Sequence, residues 1–145
     1  MTIVQTNQLQ LVKEQEEKKQ RQLGQHVEKA LAFVQKERQQ LLQLQDYEND
    51  YLAKIQQEQH AWSADNSIRY RHFCLQLAQT IEVQKDKLTT AEQQLESMRQ
   101  ALSRQQQRLN VLADLIEKNK LETAYMYDKR VQKEMDDLSA RQYYL

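Results

Sequence analysis

Beyond residue 73 the polar background of the chain is interrupted on a fixed rhythm. Cys74, Leu77, Ile81, Gln84, Leu88, Ala91, Leu95, Met98, Leu102, Gln105, Leu109, Leu112 and Ile116 follow one another at alternating spacings of three and four, without a slip. That is the a/d pattern of a heptad repeat. Its 3.5-residue period keeps one seam facing a partner only if the helix supercoils to the left around that partner. The run persists well past the ~3–4 heptads that a coiled-coil assignment needs.

An upstream segment repeats the pattern less tidily through Leu23, Val27, Ala30, Val34, Glu37, Leu41, Leu44, Glu48, Tyr51 and Ile55. Gly24 falls inside it, where Gly costs ~1 kcal/mol relative to Ala. Residues 13–21 hold no apolar side chain. Glu14 with Lys18 and Glu17 with Arg21 can form i,i+4 pairs of ~0.3 kcal/mol each. Such a stretch predicts a solvated or frayed helix that makes no packing contact.

Between the two segments, at Trp62-Ser63-Ala64-Asp65-Asn66-Ser67, Ser, Asp and Asn cluster as they do nowhere else. These side chains bond nearby backbone amides and favour turns and N-caps over helix interiors. Asn66 or Ser67 is the expected cap of the second helix. The predicted fold is all-α, a long antiparallel two-helix coiled-coil hairpin. Helix one spans 1–60, with its first residues solvated or frayed, the turn 61–67 and helix two 68–142, whose C-terminal end overhangs. Pairing between two chains would satisfy the same seams. The short connection favours pairing within one chain, and so a monomer, because a tethered partner has a high effective concentration.

Composition narrows the function classes. With one Gly and no Pro in 145 residues there is little provision for turns. The apolar share of 39% suits a narrow seam better than a broad core. Lys plus Arg equal Asp plus Glu at 21 each, which leaves no basic excess to displace counterions from nucleic acid. No apolar run approaches the ~20 residues that span a bilayer. The first residues lack the basic flank and apolar core of a secretory signal. A lone Cys74 allows no internal disulfide, and a reducing cytoplasm is the expected setting.

Catalytic chemistry has no foothold. A phosphate-cradling loop needs several glycines. His26, His60 and His72 have no i,i+4 ligand spacing with each other or with Cys74. Neither enzyme activity, a metal nor a cofactor is expected. What stands out is surplus apolar surface. Near the turn, helix one carries two stripes, one of Leu41, Leu52 and Ile55, the other of Gln40, Leu44, Tyr47 and Tyr51. Helix two adds Phe73 and Leu77 beside Tyr70, Cys74 and Ile81, and Trp62 sits at the turn. A two-helix hairpin buries only one narrow stripe per helix. These rings therefore either flank the seam as better packing or form a patch for a partner, since Tyr and Trp are enriched at interface hot spots. The stretch from Tyr125 to Leu138 poses the same choice between a solvated overhang and a contact surface.

Three segments in order resemble the flagellar export FliJ family. They are Leu44-Gln45-Asp46-Tyr47-Glu48-Asn49-Asp50-Tyr51, then Tyr70-Arg71-His72-Phe73 continuing through Leu77 and Ile81, then Gln132-Lys133-Glu134-Met135-Asp136-Asp137. The resemblance covers most of the chain after about Gln40. It implies a coiled-coil component of the bacterial flagellar type III export apparatus, similar to the stalk of rotary ATP synthases. Implied partners are the hexameric export ATPase, the cytoplasmic domain of the membrane export gate and export chaperones. The implied location is cytoplasmic, peripheral to the inner membrane at the flagellar base. Matched by residue type, the gate-binding set falls on Gln40, Leu44, Tyr47, Tyr51, Phe73 and Leu77. The ATPase-binding set falls on Arg130, Gln132, Lys133, Met135 and Asp136. Thr80 and Gln84 depart from the family's pattern, which usually has a small apolar residue and a histidine there, and the N-terminal third matches poorly. Beside the stalk stand three other readings: a chaperone escort, an injectisome stalk homologue and a generic coiled-coil scaffold.

Overall fold

A computed structural model describes residues 3–143, and two helices account for nearly all of them. They are α1 (Ile3–Glu58) and α2 (Ala64–Tyr143), joined by a single 3-10 turn, Gln59–Ala61. Among the described residues there is no strand, and no helix is long and apolar enough to cross a membrane. The two helices pack against each other as an all-α hairpin.

The turn is tighter than the sequence suggests. Trp62 swings the backbone into an extended conformation, φ −94° and ψ 144°. Ser63 Oγ then accepts the N–H of Asn66 at 3.3 Å, and the Ser63 carbonyl accepts the N–H of Ser67 at 3.1 Å. Ser63 is thus the N-cap, rather than Asn66 or Ser67, and α2 begins at Ala64. The first capping side chain after the extended residue satisfies the orphan amides, so the later two are drawn into the first helical turn. Asp65 in that turn complements the helix dipole.

The chain divides into two compact units, Gly24–Gln100 and Met1–Leu23 with Ala101–Leu145. In the first, Val34, Ala91 and Leu95 form the core, Val34 being only 2% exposed, and Val27, Ala30, Leu31 and Leu88 close around them. Partners run antiparallel. Tyr51 meets Tyr70 while Glu37 meets Gln84, two heptads back along α1 and two heptads forward along α2. Every heptad position from Cys74 to Ile116 on α2 is buried or half-buried, including the polar Gln84 and Gln105.

The second unit corrects one expectation. Residues 13–21 are neither frayed nor idle: the four-three rhythm continues through Leu9, Lys13, Glu16, Gln20 and Leu23, all partly buried. Gln105 donates its side-chain amide to the Glu16 backbone carbonyl at 3.1 Å and also to the Glu16 carboxylate. Gln20 donates to the Gln106 side-chain oxygen. Polar side chains hold this seam with hydrogen bonds and aliphatic stems, which apolar periodicity does not register. The ion pairs formed are Lys13 to Glu17 at 3.8 Å and Lys19 to Glu16 at 3.2 Å. Leu109 and Ile116 supply this unit's apolar seam, and Asn119 is buried with it.

Candidate functional site

The richest chemistry lies beside the turn, where two helical registers bring five rings together. Tyr47 and Tyr51 are one turn apart on α1 and so share a face, with ring centroids 5.9 Å apart. Across the seam Phe73 sits between them, 6.2 Å edge-on from Tyr47 and 4.6 Å from Tyr51. Tyr70, one turn before Phe73 on α2, lies 5.4 Å from Tyr51. Trp62 then stacks flat on Tyr70, at 3.8 Å and an interplanar angle of 8°. Aromatic contacts of this kind are each worth ~0.5–1.5 kcal/mol beyond the area they bury. The cluster stiffens the turn end while leaving part of its rings in water.

Exposure separates the six tip residues singled out in the sequence. Gln40 is exposed and Tyr47 is 50% exposed. Leu44, Tyr51 and Phe73 are half-buried. Leu77 is 7% exposed and belongs to the seam. Tyr47, Tyr51 and Phe73 are in mutual ring contact, whereas Leu77 contributes packing and Gln40 lies one heptad below Tyr47. Loss of water around the Tyr51 phenol, with Tyr70 and Tyr47 beside it, raises its pKa above the ordinary tyrosine value.

Sequence reasoning placed Tyr70 and Trp62 among the surplus rings near the turn but left them out of the gate-binding set. The signal for Tyr70 was present: continuing the seam back from Cys74 by four lands on it. Nothing in the periodicity marks Trp62, whose stack depends on the backbone turning at that residue. On the opposite flank, Leu52, Ile55, Cys74, Leu75 and Ala78 line a shallow apolar groove bounded by Glu48 and Arg71. Of the stripe formed by Leu41, Leu52 and Ile55, Leu41 and Ile55 are half-buried and only Leu52 remains exposed.

The other candidate set lies near the C-terminal end of α2. Arg130, Gln132, Lys133, Met135 and Asp136 are all exposed. Leu121, Tyr125, Met126, Tyr127, Met135 and Leu138 are 59–67% exposed, in a stretch where from 120 to 142 only Thr123 and Val131 are half-buried. Among the described residues, no group of three or more His, Cys, Asp or Glu is placed to hold a metal ion. The tip presents rings and aliphatic edges, and the C-terminal stretch of α2 presents rings and aliphatic side chains interleaved with charges.

A family model described as Flagellar FliJ protein matches residues 5–145. No curated protein and no solved structure matches the chain.

Proposed function

The chain belongs to the FliJ family of flagellar proteins, and on that footing we propose that it is a non-enzymatic coiled-coil stalk of the flagellar export apparatus, with a different partner at each end. The cytoplasmic domain of the membrane export gate takes the aromatic tip, through Tyr47, Tyr51, Phe73, Leu44 and Gln40. Leu77 holds the seam against which those rings pack. The hexameric export ATPase takes the C-terminal stretch of α2, through Arg130, Gln132, Lys133, Met135 and Asp136. Export chaperones are further partners, and the protein works at the cytoplasmic face of the inner membrane.

One observation carries this reading. The aromatic cluster is ordered by its own contacts, yet Tyr47 remains half in water. A pre-organised ring loses little entropy on binding and can serve as a hot-spot anchor. The exposed apolar run from Leu121 to Leu138 supports a second contact.

A stalk that binds only the assembled ring favours assembly by mass action. Adding the chain to the export ATPase should therefore raise hydrolysis most at low ATPase concentration. Unchanged hydrolysis together with unchanged oligomerisation would overturn the stalk role and favour the escort.

A further inference from the structure

We infer that the binding face of the tip extends two heptads along the hairpin to a groove between Phe33 and Val83, where the same partner seats an apolar side chain with a carboxylate beside it. The inference rests on the gate-binding reading of the tip.

The argument begins with register. Phe33, Gln40 and Tyr47 are heptad equivalents on α1, and Phe73, Thr80 and Lys87 are heptad equivalents on α2. Heptad equivalents stay on one flank of a supercoil. The edge-on contact of Tyr47 with Phe73 shows that these two rows face each other. Two heptads further from the turn, Phe33, Val83 and Lys87 line one open groove of about 560 Å³, and the acids Glu37 and Asp86 also belong to its lining. The tip and this groove are therefore on the same flank, about 20 Å apart at ~1.5 Å per residue.

Phe33 is 49% exposed and Val83 55% exposed, so hairpin packing leaves both with free apolar surface. A single exposed apolar residue needs no explanation. Two that share a groove, in line with an aromatic cluster, form a site. Within the two rows, only Gln40 and Thr80 lie between, and neither carries a charge that a partner would have to desolvate.

The opposite flank is built differently. There Arg38 reaches across the hairpin to Glu92 at 3.2 Å, and Lys85 pairs with Glu82 at 3.2 Å. At this level of the hairpin charges are paired on that side, and its own apolar groove, at Leu52 and Leu75, lies nearer the turn. Among the described residues Lys87 makes no ion pair, so its ammonium at the rim is available to a partner's carboxylate. Asp86 and Glu37, whose carboxylate is taken up by Gln84, line the same groove and restrict a partner's acid to the Lys87 side.

The test is binding of the purified cytoplasmic domain of the export gate, by calorimetry, to the full chain and four variants. Phe33→Ala and Val83→Gln should each weaken binding about three- to tenfold, and Lys87→Glu should weaken it and reduce its salt dependence. Tyr47→Ala with Phe73→Ala serves as the tip control. Val83 lies off the seam, so Val83→Gln keeps the test decisive if Phe33→Ala loses helix content. If the tip control loses binding while a folded Val83→Gln and Lys87→Glu bind normally, the extended face is wrong and the gate reading stands. If the unaltered chain does not bind the domain, or no variant changes binding, the gate reading of this face fails and the extension falls with it.

Discussion

Gln84 reaches across the hairpin and donates its side-chain amide to both the backbone carbonyl of Glu37, at 3.0 Å, and the Glu37 carboxylate. Three heptads further along each helix, Gln105 makes the same pair of bonds to Glu16. One chemical device thus occurs once in each compact unit. A polar pair on a coiled-coil seam costs some stability and specifies register, because any slip sets its polar atoms against apolar neighbours. For a hairpin whose rings must meet across the seam, register matters more than seam strength.

The first prediction follows from that pair. Glu37 and Gln84 are both buried, so Gln84→Ala strands a buried carboxylate. The expected cost is about 1–3 kcal/mol in urea unfolding. Replacing both by Leu should be near neutral or stabilising, while blurring the register. Broadened NMR resonances for Tyr51 and Phe73 in the double variant would show that blurring. Sharp, unshifted resonances would deny the pair its aligning role.

Acid titration tests the second copy of the device. The amide of Gln105, and after it Lys19, lower the pKa of Glu16 below its ordinary 4.5. A carboxylate with a depressed folded-state pKa stabilises the fold above its unfolded value and loses that contribution as pH falls through the folded one. Gln105→Leu should therefore raise the Glu16 pKa toward 4.5 and flatten the fall in stability at pH values below it. Carboxyl NMR titration reads this directly, and an unmoved Glu16 would show that Lys19 and Arg108 set its acidity without the amide.

The α2 seam and the hairpin were legible in the sequence because Leu and Ile mark them at unbroken heptad spacing. Lys13, Glu16 and Gln20 obey the same spacing, but hydropathy does not register a seam made of polar side chains. Their role emerges only once Gln105 and Gln106 are seen opposite. The cap was displaced to Ser63 because backbone geometry at Trp62 chooses among neighbouring capping residues. Tyr47, Tyr51 and Phe73 were legible as surplus aromatics. That the flank continues to Phe33 required knowing which rows face each other.

Gly24 offers a simpler test. It lies within α1, its φ is not positive, and a Cβ built there meets nothing within 4 Å. Neither backbone conformation nor space requires glycine. Gly24→Ala should therefore stabilise the hairpin by about 1 kcal/mol through helix propensity, seen as a higher melting temperature. A lower one would show that the helix needs flexibility at this position.

The last prediction separates packing from binding at the tip. Tyr47 is half exposed, and Phe73 touches both Tyr47 and Tyr51. If the rings mainly pack the turn, Tyr47→Ala with Phe73→Ala removes three aromatic pairs at ~0.5–1.5 kcal/mol each, besides the area they bury. The chain would then melt clearly earlier. If they mainly anchor a partner, each ring is worth ~2 kcal/mol or more in the complex and less in the free chain, where water already reaches Tyr47. The seam residues Leu77 and Ile81, which hold this end together, are untouched by the double variant. The expected outcome is a modest fall in melting temperature, unchanged helix content and binding to the gate's cytoplasmic domain weakened at least tenfold. Stimulation of the export ATPase should survive, because it is assigned to Arg130, Gln132, Lys133, Met135 and Asp136. A double variant that unfolds would mean that the rings belong to the packing of the turn. One that folds and binds the gate normally would remove Tyr47 and Phe73 from the interface.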